Sequence, residues 1–169
     1  VKKVLLIIIG VMASGLLLYQ TGCGTTPQES GFNFIFKYGV TARNTLDTFQ
    51  GTFTKDMGLE APITIAMVLS TDDMNSIRQK MTEIDLFSYP DKFSVTLPAG
   101  EIETRAMPYP TYFFKITDEG RTKELLWHEK VTNSEARADR LRELIKLIRN
   151  IIESREEYKN LPEAKSGYL

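Results

Sequence analysis

The stretch Gly31-Phe32-Asn33-Phe34-Ile35-Phe36-Lys37-Tyr38-Gly39-Val40 decides the fold. Phe32, Phe34, Phe36, Tyr38 and Val40 fall on one side of an extended chain, with Asn33, Ile35 and Lys37 on the other. Alternation with a period of two, carried by aromatic residues, defines a half-buried β-strand. A strand with four aromatic rings on one face needs an apolar layer to bury them, so the flanking sequence must supply neighbouring strands and a cover.

Downstream, Thr41-Ala42-Arg43-Asn44 reads as a turn. A second strand is expected from Thr45 to about Lys55, with Gly51 as a bulge or bend. Asp56 to Glu60 connects it to a third strand, Pro62 to Leu69, with Ile63, Ile65, Met67 and Leu69 on one face. Short links between consecutive strands favour an antiparallel meander. A helix follows, capped by Ser70 or Thr71, with Asp72 and Asp73 at the positive end of its dipole. Its apolar stripe is Met74, Ile77, Met81 and Ile84.

Residues 88–110 carry Pro90, Pro98, Pro108, Pro110 and Gly100, and read as a long surface loop with a short strand at Phe93 to Leu97. Tyr112 to Ile116 and Arg121 to Lys130 are expected to pair as a hairpin through a three-residue loop, Asp118-Glu119-Gly120. The return strand places Leu125 and Trp127 on one face. The last helix starts at Asn133 or Ser134, buries Leu141, Leu144, Ile145, Ile148 and Ile152, and ends at Asn160-Leu161-Pro162. Strands segregate from helices, which predicts an α+β fold: an antiparallel sheet of about five to six strands with two helices packed on one face.

The N-terminus has a different character. Lys2-Lys3 precedes an apolar run from Val4 to Tyr19, then Gln20-Thr21-Gly22-Cys23 and a polar stretch from Gly24 to Ser30. Basic, apolar and small-residue segments in that order form an export signal. The segment resembles a bacterial lipoprotein signal peptide, with Gly22-Cys23 matching the end of a lipobox and Gln20 standing where an aliphatic residue is usual. The resemblance implies that the Cys23 thiol receives a diacylglycerol and becomes the new N-terminus. The alternative is an uncleaved anchor, although the run of about 16 residues is shorter than the roughly 20 that span a bilayer. Val1 in place of Met is taken as an alternative start codon.

The expected organisation is a signal peptide over 1–22, a flexible tether over 23–30, one α+β domain over 31–162 and a tail over 163–169. Lipidation implies a cell-envelope protein held on the extracytoplasmic side, since two or more acyl chains anchor stably where one does not. Of 169 residues, removal of the first 22 leaves 147, with 19 basic and 22 acidic side chains. That balance, without a basic stripe, excludes a nucleic-acid binder. With Cys23 acylated, the domain has no disulfide and folds on packing alone.

Chemistry-bearing patterns are sparse. His128 is the sole histidine and reads as a surface or edge residue; no paired ligand spacing points to a metal. No Gly-x-Ser-x-Gly elbow or phosphate-cradling glycine loop occurs, so no cofactor is expected. Arg43, Asn44, Asp47, Lys55 and Asp56 form the densest polar group, readable as a ligand-binding patch or as turn chemistry. Tyr89, Tyr109 and Tyr112 belong to an aromatic–proline cluster that can serve as a contact surface or as core plugs. Glu101, Glu103 and Asp47 are the carboxylates available for acid–base work.

The expectation is a monomeric, membrane-tethered, non-catalytic module of the cell envelope that binds a protein, peptide or small ligand. The alternative is an extracytoplasmic, metal-independent hydrolase using carboxylates. A hydrolase should gather those carboxylates with a second titratable group in one pocket, whereas a binding module should expose an aromatic patch.

Overall fold

The computed structural model describes residues 31–165. Cys23, the signal peptide, the tether and residues 166–169 of the tail lie outside the described residues. The strands are β1 (Phe32–Tyr38), β2 (Asn44–Asp47), β3 (Thr52–Lys55), β4 (Ile63–Ala66), β5 (Lys92–Phe93), β6 (Thr111–Asp118) and β7 (Arg121–His128). The helices are α1 (Thr71–Glu83), α2 (Ala136–Ser154) and α3 (Glu156–Lys159). Together they make the α+β fold: a seven-stranded sheet in the order β4-β3-β2-β1-β6-β7-β5, antiparallel except for the β5–β7 pair.

The strand that decides the fold sits at the sheet's centre. Phe32, Phe34, Phe36 and Tyr38 are buried, as the alternation requires. Register aligns Phe36 with Leu46 and Phe114, Leu46 with Phe53, Phe53 with Ile65, and Phe114 with Leu125. One row of six apolar side chains therefore crosses six strands on the helix-covered face. The opposite face carries Thr64, Thr54, Thr45, Lys37, Phe113 and Leu126 in the matching row. There the Thr54 and Thr64 hydroxyls hydrogen-bond at 2.8 Å.

Both helices cover the aromatic face. Ile77, Met81 and Ile84 of the α1 region are buried, as are Leu141, Leu144, Ile145, Ile148 and Ile152 of α2. Burying each such side chain contributes about 2 kcal/mol before chain entropy is set against it. Ser70 is the N-cap of α1: its hydroxyl accepts from Asp73 N at 3.1 Å, and the Asp73 carboxylate accepts from Ser70 N, a reciprocal capping box. Lys80 bridges α1 to α2 through Glu143 at 2.7 Å.

Four local features differ from the sequence reading. The expected second strand is two strands, because Asp47 Oδ1 accepts from Phe49 N and Gln50 N and turns the chain, and Gly51 completes the turn at φ 61°. The hairpin loop is two residues, not three: Glu119 and Gly120 both take positive φ, the signature of a tight hairpin turn, and Asp118 stays in the ladder opposite Arg121. The final helix is capped by Glu135, whose carboxylate accepts from Arg137 N and Ala138 N. It also stops at Ser154, where Arg155 adopts an extended conformation before α3. The strand expected over residues 93–97 is reduced to the two residues of β5.

The segment after α3 folds back on the sheet: Lys165 bridges Gly58 in parallel, and its Nζ meets Glu60 at 2.5 Å. Among the described residues, no helix is long and apolar enough to cross a membrane.

Ile148 is fully buried in the α2 stripe. Ile148→Asp places an unpaired charge in the core and is expected to abolish cooperative folding, checked by loss of the thermal transition in circular dichroism. Ser70→Ala is expected to cost about 1 kcal/mol in denaturant unfolding with the fold retained.

Candidate functional site

The long connection between β5 and β6 is held in place along its second half. Asn133 Nδ2 donates to Ile102 O at 2.9 Å, and Asn133 Oδ1 accepts from Thr104 N at 2.6 Å. Ala106 N donates to Lys130 O and Thr132 N to Thr104 O, around an antiparallel bridge between Arg105 and Val131. Residues 102–106 therefore behave as a short extra ladder beside the end of β7. Asn133, expected to start the last helix, is instead the clamp on this loop.

The clamped loop builds one wall of a cleft of about 450 Å³ at the end of the sheet. Val40 and Thr41 line it from beyond β1, Met107, Pro108 and Tyr109 from the loop, and Thr111 and His128 from β6 and β7. Met107 is 89% exposed and Ile102, on the same loop, 87%. His128 Nδ1 and the Thr111 hydroxyl lie 3.0 Å apart, and the Tyr109 ring meets the imidazole edge-on at 6.2 Å. Lys130 Nζ sits 5.2 Å from the Tyr109 ring centre. The walls combine Val40, Met107 and Pro108 with the His128 imidazole and the hydroxyl-bearing Thr41, Tyr109 and Thr111, a mixture of apolar and polar groups suited to a ligand.

Gly31 O accepts from Glu119 N at 3.0 Å, so the chain enters β1 beside the β6–β7 hairpin. The cleft lies beyond the opposite end of β1, roughly 20 Å away at 3.3 Å per residue.

Two other clefts are more polar. One of about 560 Å³ beside the hairpin contains Arg78, Asp118, Glu119 and Arg121. Arg78 pairs with Asp118 at 2.9 Å and with Glu119 at 2.5 Å, and Arg121 stacks on Phe87 at 4.4 Å, so its cations are engaged within the protein. The other, of about 260 Å³, lies between α2 and Tyr112 and includes Arg142, Lys146, Arg149 and Glu153.

The polar group anticipated from the sequence divides. Arg43 lies 3.9 Å from Asp56, and Asn44 accepts from Asp56 N at 3.0 Å while donating to Tyr38 O at 3.3 Å. Asp56 also accepts from Gly58 N. Lys55 donates to Pro162 O at 2.8 Å and lies 4.9 Å from the Tyr158 ring, pinning the C-terminal segment. Asp47 is at the far end of β2 in its own turn. These residues perform turn and tethering chemistry and do not converge on a cleft.

The tyrosines divide as well. Tyr89 is buried, donating its hydroxyl to Arg137 O at 2.8 Å, and Tyr112 is buried against Trp127. Both pack as core plugs, the second of the two readings the sequence left open, and Tyr112 also lines the cleft beside α2. Tyr109 alone reaches the sheet-end cleft. Asp47, Glu101 and Glu103 line none of these clefts, and Glu103 pairs with Arg105 at 2.6 Å. Among the described residues no group of three His, Cys, Asp or Glu side chains could hold a metal ion.

A residue the sequence did not single out is Arg142. Its guanidinium meets Glu129 and Asp139, each at 2.6 Å, donates to Asn133 O, and lies 5.5 Å from the Trp127 ring. Glu129 is buried, so this pairing joins α2 to the strand end beside the cleft. The Asp139–Arg142 spacing was visible in the sequence; the Glu129 partner, 13 residues away, was not.

No family model, curated protein or solved structure matches the chain significantly.

Burial pushes the Tyr112 phenol up to about 12, with the Glu129 carboxylate adding to the shift. Tyr38 is raised as well, by burial first and then by Tyr158. The unfolded chain ionises these phenols near pH 10, so above that pH the folded state holds more protons and stability falls. Denaturant midpoints are expected to be level near pH 9 and to drop as the pH rises toward 12, with Tyr112→Phe showing a shallower drop than the parent.

Proposed function

We propose that this chain is a membrane-tethered binding module on the extracytoplasmic side of a cell envelope, taking an apolar side chain of an envelope protein or peptide into the cleft of Val40, Met107, Pro108 and Tyr109. The observation that carries the reading is the clamped loop, which presents Met107 almost fully to solvent in the wall of that cleft and exposes Ile102 five residues earlier. A soluble domain gains nothing for its own stability from large apolar groups held outside the core. Fixing their backbone through Asn133 and the Arg105–Val131 bridge lowers the ordering cost of binding.

The anchor fits the same geometry. Cys23, lipidated, is followed by seven residues before Gly31, a leader of at most about 25 Å. That leader joins at the hairpin end of β1, and the cleft lies beyond the other end of the strand.

Two experiments test the proposal. Cys23→Ser is expected to move the protein from the detergent phase to the aqueous phase in phase partitioning; retention in the detergent phase at unchanged mass overturns the lipid anchor. A photo-reactive side chain at Thr41, irradiated in intact cells, is expected to give a discrete cross-linked band. Met107→Asp should remove that band while leaving the melting temperature unchanged. A band that persists in Met107→Asp overturns the cleft as the binding site.

A further inference from the structure

The helix-covered side of β6 reads Tyr112, Phe114, Ile116 and Asp118 by alternation, so its last inward position carries a carboxylate where the others carry rings and an aliphatic chain. Asp118 is only 7% exposed and faces Arg78 of α1. Among the described residues, one buried side-chain oxygen receives no hydrogen bond, and it is Asp118 Oδ1. Arg78 Nη2 lies 2.9 Å from it, but the N–H of that nitrogen is directed at Glu119 Oε1, 2.5 Å away. Arg121 stays 3.7 Å from the other carboxylate oxygen. Asp118 Oδ1 thus has positive charge nearby and no donor aimed at it. A buried acceptor in that state carries a free-energy cost that a ligand's donor would remove.

Asp118 also lines two clefts that share Arg78, Thr82 and Arg121. The outer one, of about 560 Å³, is the hairpin cleft that also contains Glu83 and Glu119. The inner one, of about 130 Å³, has buried Phe32, Met81 and Leu86 as its apolar lining and the exposed Asp85 in its wall. That volume is well above what a single water needs. Together the lining residues bring two cations, Arg78 and Arg121, against four carboxylates, Glu83, Asp85, Asp118 and Glu119. Lys80, 3.1 Å from Glu83, offsets one more, so one negative charge is left over. Residues 4–30, which lead to Gly31 beside the hairpin, and residues 166–169 contain no Lys, Arg or His, so the adjoining parts of the chain hold no such cation.

We infer that the inner cleft binds a small primary alkylammonium. Its N–H groups donate to Asp118 Oδ1, its hydrocarbon chain lies against Phe32, Met81 and Leu86, and Asp85 supplies a second carboxylate. One positive charge with several N–H donors matches one orphaned acceptor and one uncompensated negative charge. An anion fits poorly, because Arg78 is engaged by Asp118 and Glu119 and Arg121 is stacked on Phe87. A water molecule would satisfy Oδ1 but would leave the surplus charge and the apolar lining unanswered. The site lies at the hairpin end of β1, apart from the sheet-end cleft, and does not depend on what that cleft binds.

The test is a titration of the isotope-labelled full chain, in detergent micelles, with n-butylammonium chloride, followed by nuclear magnetic resonance. The backbone amides of Thr82, Asp118 and Glu119 are expected to shift saturably, with half-saturation in the millimolar range. Butyltrimethylammonium has the same charge and chain but no N–H, and should bind at least several-fold more weakly. Asp118→Asn should weaken n-butylammonium binding at least several-fold. Because that change also touches the Arg78 ion pairs, Asp85→Asn, at an exposed position, serves as a second variant and should weaken binding at least twofold with an unchanged melting temperature. Shifts that never saturate, an equal response to the two ammonium ions, or binding unchanged in either folded variant overturns the inference and leaves Asp118 Oδ1 to an ordered water.

Discussion

The row Ile65–Phe53–Leu46–Phe36–Phe114–Leu125 is the contact on which the rest of the structure depends. It runs across six strands and holds each in register by the same constraint. A slip of one residue would put Lys37 or Ile35 where Phe36 belongs and turn a strand's apolar set to solvent. With β1 at the centre, its buried aromatics meet rings on both sides: Phe36 lies 4.8 Å from Phe114 and Tyr38 lies 6.5 Å from Phe53 between ring centres. The helices cover this face, and their buried stripes join it in one core.

Polar groups close the ends of that apolar layer. Buried Glu129 has Arg142 as its counter-charge, and the same guanidinium reaches Asp139 and the carbonyls of Val131 and Asn133. Removing one partner of such a buried pair strands the other, so the pair specifies where α2 docks more than it adds to stability. Arg155 and Asp73 do the corresponding work between the end of α2 and the start of α1. Arg78 ties α1 to the β6–β7 hairpin. Each link joins segments far apart in the chain, and together they position the strand ends, including those that frame the cleft.

This distribution explains what the sequence disclosed. Features set by periodicity were legible: the β1 alternation, the stripe of Ile77, Met81 and Ile84, and the stripe from Leu141 to Ile152. Features set by one side chain's choice of partner were not. Asp47 can sit in a strand or fold over the next two backbone amides, and strand propensity in Thr-Phe-Thr is the same either way. Asn133 can cap a helix or clamp a loop; Glu135, two residues on, caps the helix and leaves Asn133 to the loop. The cleft itself joins residues 40–41, 107–111 and 128, a combination that exists only once β1, β6 and β7 are adjacent. Of the three tyrosines singled out, Tyr109 follows the loop to the surface, whereas Tyr89 and Tyr112 supply rings to the core.

Exposed apolar groups separate what folding explains from what it does not. Phe34, Phe114 and Ile148 are inside because the fold needs them there. Met107, Ile102 and Val68 are outside, yet each lies on backbone fixed by hydrogen bonds to a neighbouring segment: Ile102 through Asn133, Met107 directly after the Ala106–Lys130 bond, and Val68 directly after the Met67–Gly51 bond. A side chain exposed on a mobile loop can turn back against the surface, whereas one on a fixed backbone keeps facing solvent. Much of the ordering cost of contact has then been met during folding, and the desolvation gain remains for a partner. Among the described residues, the exposed apolar groups of the sheet-end cleft and of Val68 are distinct from the hairpin where the chain enters. At that hairpin the surface is dominated by the ion pairs of Arg78, Asp118 and Glu119. The direction of β1 thus sets the ion-paired hairpin and the sheet-end cleft at opposite ends of the same strand.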